Sequence, residues 1–210
     1  MDVDDPDRQI ALAYAGHNRE KLRFLFMLDE TLGRIVATVR EPMIAQMKLA
    51  WWRESLELAL TNVKKGEPLL EMAHSLKMGP ELVAMVNGWE AALAELPLSD
   101  DVLLRFAQGR GATLFAAAIG FYGRESGLIS DAAGRSWALV DFAFRCSDDQ
   151  TRNRALALAR NHDRPVGLPL PLGIMTALVQ SDIRRGPERR WRPGSPMRML
   201  RALGWFVFKR

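Results

Sequence analysis

The chain has 210 residues, 48% of them hydrophobic, which fits one domain with a substantial core, or a domain and a tail. Its net charge is +4, and with a single cysteine, Cys146, it can form no internal disulfide, which suits a reducing compartment. The acidic start, Met1-Asp2-Val3-Asp4-Asp5-Pro6-Asp7, lacks the apolar stretch of a secretory signal, and the longest conspicuous uncharged run, Gly111 to Gly123, is 13 residues where a spanning helix needs about 20; the expectation is a cytoplasmic chain, at most peripheral to a membrane.

Leucine, alanine and methionine dominate, and no alternating Val/Ile/Thr runs lie between turn signals. The apolar spacing is helical throughout and predicts an all-α, single-domain helical bundle. Helices are expected over 7–16, 18–39, 42–62, 67–76, 80–95, 99–107, 110–123, 128–160, 170–180 and 195–208. Pro42 fits a first turn, Gly79-Pro80 opens another helix, and Ser99-Asp100-Asp101 reads as an N-cap. A proline-rich stretch from Arg164 to Gly173 separates core from tail, and Arg185-Gly186-Pro187 and Arg192 to Pro196 break the tail again. The division is therefore a helical domain, 1–183, and a basic amphipathic tail, 184–210. That tail holds nine basic residues and one acid, Glu188, so it carries +8 against +4 for the whole chain, and residues 1–183 carry about −4. Such asymmetry points to an anionic partner: lipid, nucleic acid or an acidic protein.

In the helix expected over 18–39, Leu25, Leu28, Leu32, Ile35, Val36 and Val39 form the buried face. Glu30 and Arg34, four apart on the wet side, read as a helix-stabilising pair. Asp29 lies at the edge of the apolar face, either paired to a neighbour or looking into a cavity. In the next helix, Gln46, Ala50, Arg53, Glu54 and Glu57 share a strip expected to face water. Ile44, Met47, Trp51, Trp52, Leu56, Leu58 and Ala59 cover the rest, which makes the helix central. Lys48 sits in the apolar arc and has two readings: its stem lies along a tryptophan, or its ammonium sits at the mouth of an anion-binding cavity. Arg53 is read as a surface partner of Glu57, and Trp51 and Trp52 as core packing or a ligand wall.

The stretch Lys48-Leu49-Ala50-Trp51-Trp52-Arg53-Glu54-Ser55-Leu56, preceded by Arg40-Glu41-Pro42, is the most specific in the chain. It resembles the Lys-Leu-x-Trp-Trp-Arg-x-x-Leu signature of the squalene/phytoene synthase family, all-α enzymes of the isoprenoid synthase fold that join two prenyl diphosphates. The resemblance implies an isoprenoid-synthase bundle and a cavity flanked by Asp29, Arg34, Lys48, Trp51, Trp52 and Arg53. It also implies Mg²⁺ if the chain is catalytic, because the family's Asp-Asp-x-x-Asp motif holds the ions that bind the diphosphate. Registered on Leu25 to Leu28 and on Glu41-Pro42, that motif falls on Gly33, Arg34 and Ala37, and no carboxylate remains. The second acidic motif finds its counterpart in Ala138 to Arg145, followed by Asp148-Asp149. Asp141, Asp148 and Asp149 are thus the metal candidates, with a helix cap or a solvated turn as the other reading of the pair.

This pattern is similar to an aspartate-poor branch of the family that includes the mitochondrial complex I assembly factor. The expectation is a non-catalytic protein linked to isoprenoid metabolism or membrane-complex assembly, with no cofactor; the alternative is an active Mg²⁺-dependent prenyltransferase. Expected partners are a prenyl diphosphate or other lipid, a respiratory complex, and an anionic membrane surface met by the tail, where Met199, Leu203 and Phe206 share a stripe beside Trp205; nucleic acid is not favoured. The other reading of the tail is a last core helix with a solvated basic face. His17, His74 and His162 lack metal-ligand spacing. Gly109-Arg110-Gly111 is too short for a phosphate cradle, although its glycines allow close helix packing.

Overall fold

The computed structural model describes residues 3–62, 65–160, 167–186 and 192–207. Among them the chain is helical without strands: α1 (Pro6–Ala13), α2 (Arg19–Thr38), α3 (Pro42–Glu57), α4 (Pro68–Ser75), α5 (Val83–Ala91), α6 (Asp100–Phe106), a π-helical turn (Ala107–Ala112), α7 (Thr113–Gly120), α8 (Leu128–Arg145), α9 (Asp149–Ala159), α10 (Leu170–Arg185) and α11 (Pro196–Val207). One main hydrophobic core runs through the bundle.

Local chemistry sets the ends. Asp5 accepts the backbone N–H groups of Asp7 and Arg8 and caps α1. Prolines at the first turns of α1, α3, α4 and α10 occupy positions where a missing N–H costs no helical bond. Ser99 caps α6 through the Val102 N–H.

Three expectations need correction. The helix expected over 128–160 is two helices. The chain leaves helical geometry at Cys146, and Asp148 restarts it by accepting the Thr151 N–H at 2.7 Å. Next, α3 is not central: Ala45, Leu49, Trp52, Ser55 and Leu56 are buried against α2, α4 and α5, while Ile44, Met47, Trp51 and Leu58 are exposed. Neighbours cover it on one side only, so its wide apolar arc outruns them. Finally, neither expected ion pair forms. Arg53 reaches across to Asn87 and Glu90 on α5 rather than to Glu57, and Arg34 pairs with Asp4 at 3.2 Å while Glu30 accepts the backbone N–H groups of Asp4 and Asp5. In each case a tertiary partner has displaced the i, i+4 one.

Glycine determines the centre. The π-helical turn between α6 and α7 is squeezed between α5 and α8. A Cβ at Gly109 would stand 2.7 Å from the Gly88 Cα, and one at Gly111 only 2.0 Å from the Gly134 carbonyl oxygen. The extra residue of a π turn changes the direction of side chains within an otherwise continuous helix. Here it turns Arg110 inward, where it is buried.

The tail packs back on the bundle. A second, small core joins Ile174 and Leu178 of α10 to Ala202 of α11, with Ile10 and Tyr14 of α1 against it. Arg198 is buried there, donating to Asp182 at 2.7 Å and to both oxygens of Asp7 at 2.5 and 2.8 Å. The side chains of Leu203, Trp205 and Phe206, and all of His162, lie outside the described residues.

Candidate functional site

Asp29 projects from the middle of α2 into the core and has no solvent exposure. An isolated carboxylate there would be prohibitive, so its partners define the site. Arg8 of α1 donates to Oδ2 at 2.5 Å. Arg110 on the π turn donates from Nε and Nη2 at 2.9 Å each. The Trp89 indole N–H of α5 donates to Oδ1 at 2.8 Å. Four segments therefore converge on one carboxyl group.

The network continues outward. Arg110 Nη2 also donates to Asp141 of α8 at 2.6 Å, and Arg145, one turn later, donates to the other oxygen of Asp141 at 3.0 Å and to Asp5 at 2.5 Å. The guanidinium groups lie between aromatic faces. Arg110 sits 4.4 Å from the Trp89 ring centre and 4.6 Å from that of Trp137, and Arg8 lies 5.4 Å from the rings of Phe26 and Trp137. Burial alone would raise the carboxyls of Asp29 and Asp141. The adjacent Arg110, with Arg8 at Asp29 and with Arg145 and Arg8 at Asp141, outweighs it and holds both below the ordinary aspartate range. Arg110 is in turn held above its ordinary value, its own burial overcome by Asp29 and Asp141.

Above this floor is a cavity of about 610 Å³, walled by Gly33, Val36, Ala37, Phe142 and Phe144. Its charged lining comprises five acids (Asp4, Asp5, Asp29, Glu30, Asp141) and four arginines (Arg8, Arg34, Arg110, Arg145). The cavity thus offers no surplus positive charge.

No family model matches the chain, and no curated protein or solved structure is significantly similar to it.

Asp29, Arg34 and Asp141 meet at this cavity. Lys48, Trp51 and Trp52 do not; together with Ile44 and Met47 they line a separate groove between α2 and α3, which Arg34 also reaches. Arg53 lies on neither, held by Asn87 and Glu90. Asp148 is the α9 cap and Asp149 pairs with Arg152 at 2.5 Å, so neither joins Asp141. Among the described residues no group of three or more His, Cys, Asp or Glu side chains is placed to hold a metal ion. The carboxylates that do converge do not fit Mg²⁺, which needs free hard oxygens in near-octahedral array. Both oxygens of Asp29 and both of Asp141 already accept from guanidinium groups.

Sequence reasoning missed Arg8, Trp89, Arg110 and Arg145. The one available signal was at Gly109-Arg110-Gly111: an arginine between two glycines, one of which also begins a long uncharged run, has no water to face when the backbones on either side touch.

Proposed function

We propose that this chain is a squalene/phytoene synthase-like module that holds an isoprenoid or other lipid in its central cavity without metal-dependent condensation, in the service of isoprenoid metabolism or membrane-complex assembly. The observation that carries this reading is the Arg8–Asp29–Arg110–Asp141–Arg145 network. Ionising an allylic diphosphate requires cations to neutralise the departing pyrophosphate. Here the converging carboxylates are saturated by arginines, and those arginines are spent on the carboxylates.

The same balance bears on the ligand. A diphosphate would add uncompensated negative charge to a lining that already has one more acid than base. The apolar walls and the volume suit a small lipid. An uncharged isoprenoid, such as a prenyl alcohol, is therefore favoured over its diphosphate.

Two measurements test this. Purified protein incubated with Mg²⁺, labelled farnesyl diphosphate and NADPH is expected to release no pyrophosphate. Farnesol is expected to quench Trp89 fluorescence at lower concentration than farnesyl diphosphate does. Pyrophosphate release with a condensed hydrocarbon product, abolished in Asp141→Ala, would instead establish an active prenyltransferase.

A further inference from the structure

The outer side of α3 is apolar and exposed. Met43, Ile44, Met47, Trp51 and Leu58 stand there 72%, 41%, 67%, 40% and 47% exposed, while Ala45, Leu49, Trp52 and Leu56, on the opposite side, are buried in the bundle. Ile44, Trp51 and Leu58 recur every seven residues with Met47 between the first two, and Leu58, at the C-cap, keeps a helical backbone. Seven-residue recurrence is the spacing with which one helix meets another along its length. Toward α2 the stripe opens into a groove of about 670 Å³, walled by Ile35, Val39, Lys48 and Trp52, which gives the side chains of a facing helix space to enter.

We infer that α3 is the contact helix of a two-fold dimer, in which the stripe of one copy packs on the stripe of the other. Two observations select a second copy as the occupant. The first is area. Side chains of this size at these exposures offer on the order of 500 Å² of apolar surface, near the upper end of what a monomer carries. With its polar margin, a symmetric contact would bury roughly 1,200 Å² over both copies, enough for a specific interface. A two-fold contact uses the same patch on each partner, so it covers the whole stripe on both at once. The second observation is charge. Arg40 and Lys48 flank α3 together with Glu41, Glu54 and Glu57; all five are exposed, and none is ion-paired among the described residues. Both signs are thus free to meet their opposites on a copy, whereas a patch of one sign would repel itself. Three acids against two bases also fit an anionic bilayer or a nucleic acid poorly.

The dimer is of the dissociable kind. A contact of this size, with one tryptophan as its large anchor, corresponds to a dissociation constant roughly in the micromolar range. In dilute solution the chain is then monomeric, with Trp51 open to solvent, and association covers that ring. Burial of apolar surface drives the contact, so salt does not dissociate it. Apart from Arg34, no residue of the groove lines the central cavity, and the contact is independent of what the cavity holds.

Sedimentation equilibrium of the full chain from about 1 to 200 μM tests the inference. A monomer–dimer equilibrium is expected, unchanged or strengthened in high salt. Met43→Glu with Met47→Glu is expected to weaken association at least about tenfold, because carboxylates would be buried at the two-fold contact. Leu128→Glu, at an 87% exposed apolar residue of α8, should leave it unchanged. All three side chains are exposed, so melting temperatures in dilute solution should match the parent and a folding defect is separable from an association defect. Acrylamide quenching of the parent needs no substitution: it should fall as concentration rises and Trp51 is covered. A chain that stays monomeric throughout the range would overturn the inference. So would a dimer that survives Met43→Glu with Met47→Glu while melting is preserved, one that salt dissociates, or one that forms with quenching unchanged. A monomer that partitions into phosphatidylcholine vesicles, and loses that partition in the same double variant, would also overturn it, since the stripe would then meet lipid.

Discussion

Arg110 grips Asp29 with two parallel hydrogen bonds of 2.9 Å, from Nε and Nη2, across 81 residues of sequence. The fork matches a carboxylate in a way that a lysine cannot. It places a buried, bidentate ion pair beside Asp141, one of the acids that the resemblance marked as metal candidates.

Removing that carboxylate should be costly. Asp29→Asn removes the buried carboxylate that Arg8 and Arg110 share, leaving Arg110 with Asp141 alone and Arg8 with Glu30 at 3.5 Å, and a loss of about 3–5 kcal/mol is expected in urea unfolding. Asp148→Asn, which weakens only the cap of α9, should cost about 1 kcal/mol or less. Similar losses for the two would mean that the buried network does not hold the bundle together.

The network also sets acid stability. Folded Asp29 and Asp141 lie below the ordinary aspartate value of 3.8. Their contribution is therefore fully present above about pH 5 and shrinks below it, as the unfolded chain takes up protons that the folded chain refuses. It disappears only once the folded carboxyls themselves protonate. Denaturation midpoints should be flat from neutral pH to about pH 5 and fall progressively below, with a shallower fall in Asp141→Asn. A midpoint that rises on acidification would contradict the assignment.

Gly111→Ala tests the backbone crossing. Its Cβ would lie 2.0 Å from the Gly134 carbonyl oxygen, and the obstacle is the backbone of α8 rather than a flexible side chain. A destabilisation of at least about 3 kcal/mol is expected by thermal unfolding. Gly120→Ala, which meets nothing within 4 Å, should be neutral or stabilising by up to about 1 kcal/mol. Equal melting of the two variants would show that the crossing yields easily.

The two signature tryptophans should behave differently. Their rings stand edge to face with centres 5.2 Å apart, yet Trp52 is 5% exposed and Trp51 40%. Trp52→Ala should cost about 3–5 kcal/mol and Trp51→Ala less than half as much. Acrylamide should quench the emission lost in Trp51→Phe more strongly than that lost in Trp52→Phe.

Helical periodicity made the fold class legible, and the apolar face of α2 was readable from Leu25, Leu28 and Leu32 because burial repeats with the helix. The boundary at Cys146 was not, since a cap such as Asp148 looks the same as an aspartate inside a helix. The exposed side of α3 was missed because a helical wheel shows where apolar residues are, not whether a neighbour covers them. The candidate site was half legible. Asp29 stood out as an acid at the edge of an apolar face and Asp141 only through the resemblance, but their partners come from α1, α5, the π turn and the end of α8. Nothing local in Arg8 marks it as buried, and for Arg110 the local trace is the pair of flanking glycines, through which the π turn approaches α5 and α8.

The clasp between Asp7 and Arg198 joins side chains 191 residues apart. A chain emerging from the ribosome at about 5–20 residues per second exposes Asp7 for roughly 10–40 s before its counter-ion has even been made. Asp182, the other partner of Arg198, is made only 16 residues before it, so the two acids coexist without their shared cation for roughly 1–3 s at that rate. Until Arg198 is made, α1 is held by its contact with α2 through Arg8 and Asp29, and the small core it shares with α10 and α11 closes only afterwards.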